Sequence, residues 1–463
     1  MKKVAVIGSG LAGSLICNRL SAHSNVILLE AGPEARVKYP NIGFKNKEFG
    51  SVRTLCYGAG GTTNLWHNGL IPLNIDDLQH PEFKEIVIDS KRFTDAAASD
   101  LYFDGKSYRA EFDALFSPTE SGASDIGIFS DGFDYLLYPK KFKRLKVSKH
   151  VDSAYNVSDI DFVIENTKLK SIRYFRGAER HEIQCDHVIL CAGALGTPYL
   201  AKKIISAIGK SVEHCGTGFI DHPMAFVGKV KVKKDFSDIF HRLSLEDRGD
   251  YAAHTAIRLK SACGNYTCCA FFRPALTMKN RLSIYKYKSM LGASKGLEVL
   301  KNAFSLKLFH PDILAEIYSH ILGVNLRSRI YNILMIFEQK RGANSVSYDG
   351  KKIVVDWRIT EDELAVYNSI LIKLRDMLEK VSDELVMKIP ITDDWLWSAA
   401  HHSGTLPLGP DPDGLIDSNL KLNALDNVYV GDGSVIQEHS YANTGLTIGQ
   451  LALRLAEHIR TTF

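Results

Sequence analysis

The chain has 463 residues, 45% hydrophobic and 24% charged, with 57 Lys+Arg against 53 Asp+Glu for a net charge of +4. That balance excludes a disordered tail, a collagen-like fibre and a small disulfide-stapled module, and it is too weak for a whole-protein nucleic-acid footprint. At ~150 residues per domain the length predicts two or three domains, each able to bury its own core.

No run of ~18 apolar residues is present, so no membrane span is expected. Met1-Lys2-Lys3 before Val4-Ala5-Val6-Ile7 imitates a signal peptide, but glycines interrupt the apolar run at once. The eight cysteines are scattered, and none forms a CxxC pair with partner histidines. No metal site is expected; the cysteines read as reduced thiols and the location as cytoplasmic.

In chain order, Lys3 to Ile7 is a β-branched apolar run suited to a buried parallel strand. Gly8-Ser9-Gly10-Leu11-Ala12-Gly13 follows, then helical periodicity from Ser14 to Leu20, and a second strand, Val26 to Leu29, ending in Glu30-Ala31-Gly32. Gly8 permits the tight turn, Gly10 lets backbone approach a pyrophosphate at the positive end of the helix, and Gly13 lets helix and strand pack closely. Glu30 stands where an acid takes a ribose 2′-hydroxyl and repels a 2′-phosphate. Strand, glycines, helix, strand and acid in that order leave NAD or the ADP half of FAD, with Leu11, Ala12 and Ala31 among its neighbours.

A second glycine-rich stretch runs from Arg53 through Tyr57-Gly58-Ala59-Gly60-Gly61-Thr62-Thr63-Asn64-Leu65-Trp66-His67 to Gly69. Backbone of this kind can lie flat against a broad ring such as isoalloxazine, which an NAD enzyme lacks. Here the chain resembles the glucose-methanol-choline (GMC) oxidoreductases. The resemblance recurs at Val188 to Pro198, at Gly216 to Pro223 with its Asp221-His222-Pro223, at His401 to Thr405, at Asn427 to Ser434 and at Asn443 to Ile448.

The resemblance implies an α/β fold. A Rossmann-like FAD-binding domain, built on a parallel sheet plus a small antiparallel meander, is assembled from 1–75, 150–225 and 395–463. A second α+β domain, 76–149 and 226–394, would carry the substrate on an antiparallel sheet. The texture of the chain agrees: Phe162 to Ile164, Ile172 to Phe175 and a strand around Ile183 to Leu190 alternate like a meander. Asn344 to Trp357 reads as a hairpin with an Asp349-Gly350 turn, followed by helical periodicity from Glu361 to Val381.

By the same resemblance, FAD would meet Gly60, Gly61, Thr62, Asn64 and Leu65, with Leu169 near the adenine and Ala192 and Gly193 along the chain. Asp432 and Gly433 would follow the ribityl group, and Asn443, Thr444 and Ile448 the pyrimidine end of the ring. Some members attach FAD through a histidine in the second glycine stretch; Leu65 occupies that position here, which implies non-covalent FAD and a substrate-side place for His67. The string Gly60 to Trp66 is similar to members acting on sugars and cyclitols.

Oxidising an alcohol with a flavin requires a base of near-neutral pKa and a group to hold the developing alkoxide. The family places its histidine three residues before a glycine, which gives His401 as the base and leaves His402 a structural neighbour. Its second group precedes a Thr-Ile pair by four residues, which gives Asn443. The family's proline after that asparagine is replaced by Thr444-Gly445, which frees the loop. The implied activity is FAD-dependent oxidation of a CH–OH group in a sugar, polyol or sugar-derived alcohol, with oxygen, a quinone or another carrier taking the electrons. A non-redox lyase of the same fold using His401 and Asn443 is the alternative. An NAD dehydrogenase would leave the segment around Asp432 without a task.

Two basic runs remain: Lys140 to Lys146, and 279–307 with seven basic residues and one acidic, Glu298. A solvated face is the common reading of such runs; peripheral membrane contact or attraction of an anionic substrate is the functional one.

Overall fold

A computed structural model of the protein describes residues 1–50, 53–66, 68–103, 105–115, 129–140, 145–278, 311–316, 318–319, 324–410 and 414–462. His67, residues 141–144 of the first basic run and the whole of 279–307 lie outside the described residues. Among the described residues no helix is long and apolar enough to cross a membrane, and no cluster of His, Cys, Asp and Glu could hold a metal.

The apolar run Lys3–Ile7 is the central strand of a five-stranded parallel sheet. Asn25–Leu29 pairs on one side and His187–Leu190 on the other, extended by Asp152–Ala154 and Val428–Val430. Val4, Ala5 and Val6 are buried, as a strand covered on both faces requires. Gly8 turns the chain at φ +106°, and a Cβ there would lie 2.4 Å from the Cys191 carbonyl oxygen. A Cβ at Gly13 would sit 1.9 Å from the Gly8 carbonyl oxygen, so only glycine lets the first helix, Leu11–Leu20, lie this close to the strand.

The second sheet has eight antiparallel strands. Its main path runs Glu246–Asp247, Tyr251–Lys260, Thr267–Ala275, Ile330–Ile336, Pro223–Val232, Ser382–Met387. Phe133–Pro139 joins Tyr251–Lys260, and Trp397–Ser398 joins Pro223–Val232. The helix Glu361–Glu379 backs it, opened by a capping box between Thr360 and Glu363 and burying Tyr367, Ile370, Leu371, Leu374 and Leu378 on one stripe. The α/β class with a parallel sheet and a separate antiparallel sheet is thus the architecture present.

Two local readings change. The run Ile183 to Leu190 is not one meander strand. Glu179–Gln184 closes a three-stranded meander with Val157–Glu165 and Lys168–Arg176, whereas His187–Leu190 turns at Cys185-Asp186 into the parallel sheet. The hairpin Ser345–Asp349 and Lys352–Asp356 forms as expected, but Ile42–Phe44 pairs parallel to it, tying it to the first segment of the chain. The helices Pro81–Ser90 and Thr94–Asp100 likewise pack on the last helix, Thr444–Thr461, through Gln450–Thr94 and Arg454–Asp89 hydrogen bonds. The two sheets meet where Asp221-His222 enters Pro223–Val232 and Trp397–Ser398 leads to His401. That seam sets the site.

Candidate active site

A cavity of about 980 Å³ runs from the first glycine turn to one face of the antiparallel sheet. Gly8, Gly10, Leu11, Ala12, Glu30, Ala31, Gly61, Thr62, Leu65, Ala192, Gly193, Asp432, Gly433, Thr444 and Ile448 line it, together with His401 and Asn443. Four expected neighbours do not. Gly13 packs helix on strand, and Gly60, at φ +83°, caps the short turn Gly61–Leu65. The Asn64 amide donates to the Ala59 and Gly61 carbonyls at 3.0 and 2.7 Å, holding that turn. Leu169 stands apart from the cavity because both of its backbone polar groups are spent on the Asn427 side chain, at 3.0 and 2.8 Å. Val157 to Ile160, one strand earlier, line the cavity instead.

The glycine turns touch: a Cβ at Gly61 would lie 2.8 Å from Gly10 Cα. Glu30 ties them together. Its Oε2 accepts from the Ser9 N–H and hydroxyl, both at 2.8 Å, and its Oε1 from Gly32 N–H at 2.8 Å and Gly58 N–H at 2.9 Å. Two donors on each oxygen fill the carboxylate, so a ribose hydroxyl must displace one of them. Asp432 is a second clasp: Oδ2 accepts from Gly193 N–H at 2.8 Å and the Thr197 hydroxyl, Oδ1 from Ser434 N–H at 2.9 Å.

The lining fits a dinucleotide. The first helix opens at Gly10 with no side-chain cap and no acid in its first turn, so its N-terminal dipole faces the cavity uncompensated. The last helix opens at Asn443, a residue type that caps well, yet its amide makes no capping bond. Asn443 keeps that group for the cavity. A Cβ at Gly69 would lie 3.2 Å from Asn443 Nδ2, and one at Gly445 would lie 2.5 Å from the Trp66 ring. Thr444-Gly445 is therefore packed under an indole rather than slack, which replaces the constraint that a proline would give.

His401 is held from two sides. Its backbone N–H donates to Asp221 Oδ1 at 2.9 Å, and Asp221 also accepts from His222 N–H at 2.7 Å and from the Ser398 hydroxyl. Ser398 Oγ in turn accepts from Ala400 N–H at 2.9 Å, fixing Ala400 at φ +63°, a strained position for a residue with a Cβ. The ring is fixed by His222: the two Nδ1 atoms lie 2.7 Å apart, the rings nearly perpendicular at 84°.

The hydrogen positions in that pair follow from the far side of His222. Its Nε2 lies 2.7 Å from the Ser440 carbonyl, which can only accept. His222 Nε2 therefore carries the hydrogen, its Nδ1 is a lone pair, and His401 must donate from Nδ1. A neutral His401 is left with its lone pair on Nε2. Burial pushes its pKa down to about 4, so the ring is neutral at ordinary pH.

His402 turns the other way, stacked on Phe49 at 4.5 Å with Nε2 3.5 Å from Asp221 Oδ2, and packs the loop. The His439 ring lies tilted at 49° to His222, with centroids 3.8 Å apart. The sequence flagged Asp221-His222 only as a motif and left Trp66 without a role; the motif's place directly before a strand was the available signal.

Residues 342–452 match the family model described as GMC oxidoreductase. No curated protein matches the chain. Among solved structures, pyridoxine 4-oxidase from Mesorbium loti is similar at 14% identity over 99% of each chain, with a TM-score of 0.56. An FAD-dependent oxidoreductase from Chaetomium thermophilum is 14% identical over 100% of this chain and 99% of its own, TM-score 0.61. Formate oxidase from Aspergillus oryzae is 13% identical over 100% and 98%, TM-score 0.60. Over 342–452 the chain is thus similar to the GMC oxidoreductases, and along its whole length it has the fold of these three enzymes.

Proposed function

We propose that the protein is an FAD-dependent oxidoreductase of the GMC type that oxidises a CH–OH group of a small-molecule alcohol. The observation that carries this reading is the His222–His401 pair, which leaves an unprotonated Nε2 on a residue that lines the same cavity as Asn443, whose amide makes no capping bond among the described residues. His401 Nε2 takes the hydroxyl proton, and the Asn443 amide donates to the oxygen as charge develops there. The carbinol C–H pair leaves as hydride and a carbonyl product remains. FAD held by the glycine turns would supply the hydride acceptor, with oxygen, a quinone or another carrier as the final electron acceptor.

The two uncapped helix ends and the joined glycine turns support FAD as the cofactor, and a leucine at position 65 supports its being held without a covalent bond. The names of the neighbouring structures support an oxidoreductase; the donors they print, pyridoxine and formate, are those proteins' own. A sugar or cyclitol is one member of the CH–OH class; the cavity wall bears on that choice below.

Purified protein should be yellow. His401→Ala should keep its flavin and lose roughly 10²- to 10⁴-fold in the rate of anaerobic flavin reduction by its alcohol. Reduction at the wild-type rate by that variant would refute the assignment.

A further inference from the structure

The cavity wall facing the glycine turns is one face of the antiparallel sheet. Met224, Phe226, Phe271, Leu334, Ile336 and Leu136 project from it. The strand register sets them in rows: Met224 beside Ile336, and Phe226 beside Leu334 beside Phe271 across three strands. Met224 is also in register with Trp397, four residues before His401, and both Met224 and His401 line the cavity. Tyr138 lies on the same wall with its hydroxyl turned to the Ser319 carbonyl at 3.4 Å. Arg273, two residues beyond Phe271 and opposite Asn332, is the one charged side chain this wall contributes among the described residues.

Such a wall discriminates by what it cannot bond. Each extra hydroxyl buried against it without a partner costs roughly tenfold in affinity, and a sugar carries several. An apolar body gains roughly ten- to a hundredfold for each phenyl-sized group it buries there. Resting on the oxidoreductase reading above, we propose that the donor is an alcohol with an apolar aryl or alkyl body and its reacting carbinol at one end, in place of a polyhydroxylated sugar. The body lies along the Phe226–Leu334–Phe271 row while the carbinol meets His401 and Asn443. The step balances as before: the O–H proton goes to His401, the C–H pair leaves as hydride to the bound flavin, and an aldehyde or ketone is released.

The test mixes the holoenzyme anaerobically with benzyl alcohol, 1-octanol, D-glucose and myo-inositol, following flavin bleaching and, separately, binding through quenching of tryptophan fluorescence. Benzyl alcohol or 1-octanol should reduce the flavin with an efficiency at least roughly 100-fold above either polyol. Phe226→Ala and the milder Phe271→Leu should each weaken benzyl alcohol binding, by roughly tenfold for the first, with flavin content and melting temperature near wild type. Bleaching by glucose or inositol at equal or higher efficiency overturns the apolar donor and keeps the oxidoreductase reading. Tight binding of the apolar alcohols without bleaching keeps the apolar ligand class and sinks the redox reading. The absence of both binding and bleaching with the apolar alcohols overturns the proposal outright.

Discussion

At position 222 an imidazole does for His401 what no sequence neighbour can, because the contact spans 179 positions. His401 and Asn443 could be proposed from the family's local spacing, whereas a partner that fixes a tautomer across the chain leaves no local trace. His222 is a positioning residue, and two outcomes separate that role from mere packing. His222→Phe removes the acceptor for the His401 Nδ1 hydrogen and frees the ring to place its hydrogen on Nε2. The turnover rate should fall roughly 10²-fold with KM within a few-fold of wild type, and His222→Asn, whose oxygen can stand near the lost Nδ1, should recover part of it. An unchanged turnover rate in both would dismiss the tautomer argument. The pH profile gives an independent check. His401 meets His222 through its ring and Asp221 through its backbone N–H, the His402 and His439 imidazoles feel its charge, and burial holds its own pKa at about 4. The acid limb of kcat/KM should therefore fall below pH 5, not at the ~6.5 of an exposed histidine.

The last helix shows how a residue can be singled out and its anchor missed. The family's spacing pointed to Asn443, and the missing proline suggested a slack loop, where the structure has a helix start. What holds the start is Trp66, from a turn nearly 380 positions earlier, lying where a Gly445 Cβ would be. Gly445→Ala should therefore force the indole or the helix start to move. The expected cost is ~1–3 kcal/mol of stability, with a drop in flavin reduction because Asn443 shifts with the helix. Melting temperature together with flavin-reduction rate checks this; a variant unchanged in both would mean that Trp66 yields freely. The Ile183 to Leu190 run failed for a related reason. Alternation continues through it, and only pairing partners far away in sequence decide that Glu179–Gln184 joins the meander while His187–Leu190 joins the parallel sheet. The Gly8-to-Glu30 unit was legible as a fold signal since its strands, turn and helix are contiguous. The saturation of Glu30 was not, because two of its donors come from Ser9 and one from Gly58.

Across the whole molecule, polar burial at the seam couples the fold to pH. His222, His401, His402 and His439 are all pushed down by burial, the last three to about 4, 3 and 3. A histidine whose folded pKa is depressed costs stability as pH falls, because below ~6.5 the unfolded chain binds a proton that the folded chain refuses. Asp221 and Glu338 are pushed up by burial to about 7 and Asp134 to about 6. They act in the opposite sense: above ~4 the unfolded chain has lost protons that the folded chain keeps, so stability falls as pH rises through that window. Between pH ~4.5 and 6 the two sets oppose each other, so the slope there should be shallower than the imidazoles alone would give. Below ~4 the raised carboxyls are protonated in both states and no longer offset the imidazoles, while carboxyls held low, such as Asp95 and Asp356, add to the loss, so unfolding should set in there. His439→Leu tests the balance, since it removes one buried imidazole whose pKa burial pushes down to about 3. With one imidazole removed, the variant should gain ~1.4 kcal/mol over wild type for each pH unit as pH falls from ~6.5 toward 4. Urea unfolding at pH 7, 6 and 5 measures that slope. A difference between the two proteins that stays constant with pH would show that His439 binds its proton equally in the folded and unfolded chain, and would remove the imidazole half of the balance at that position.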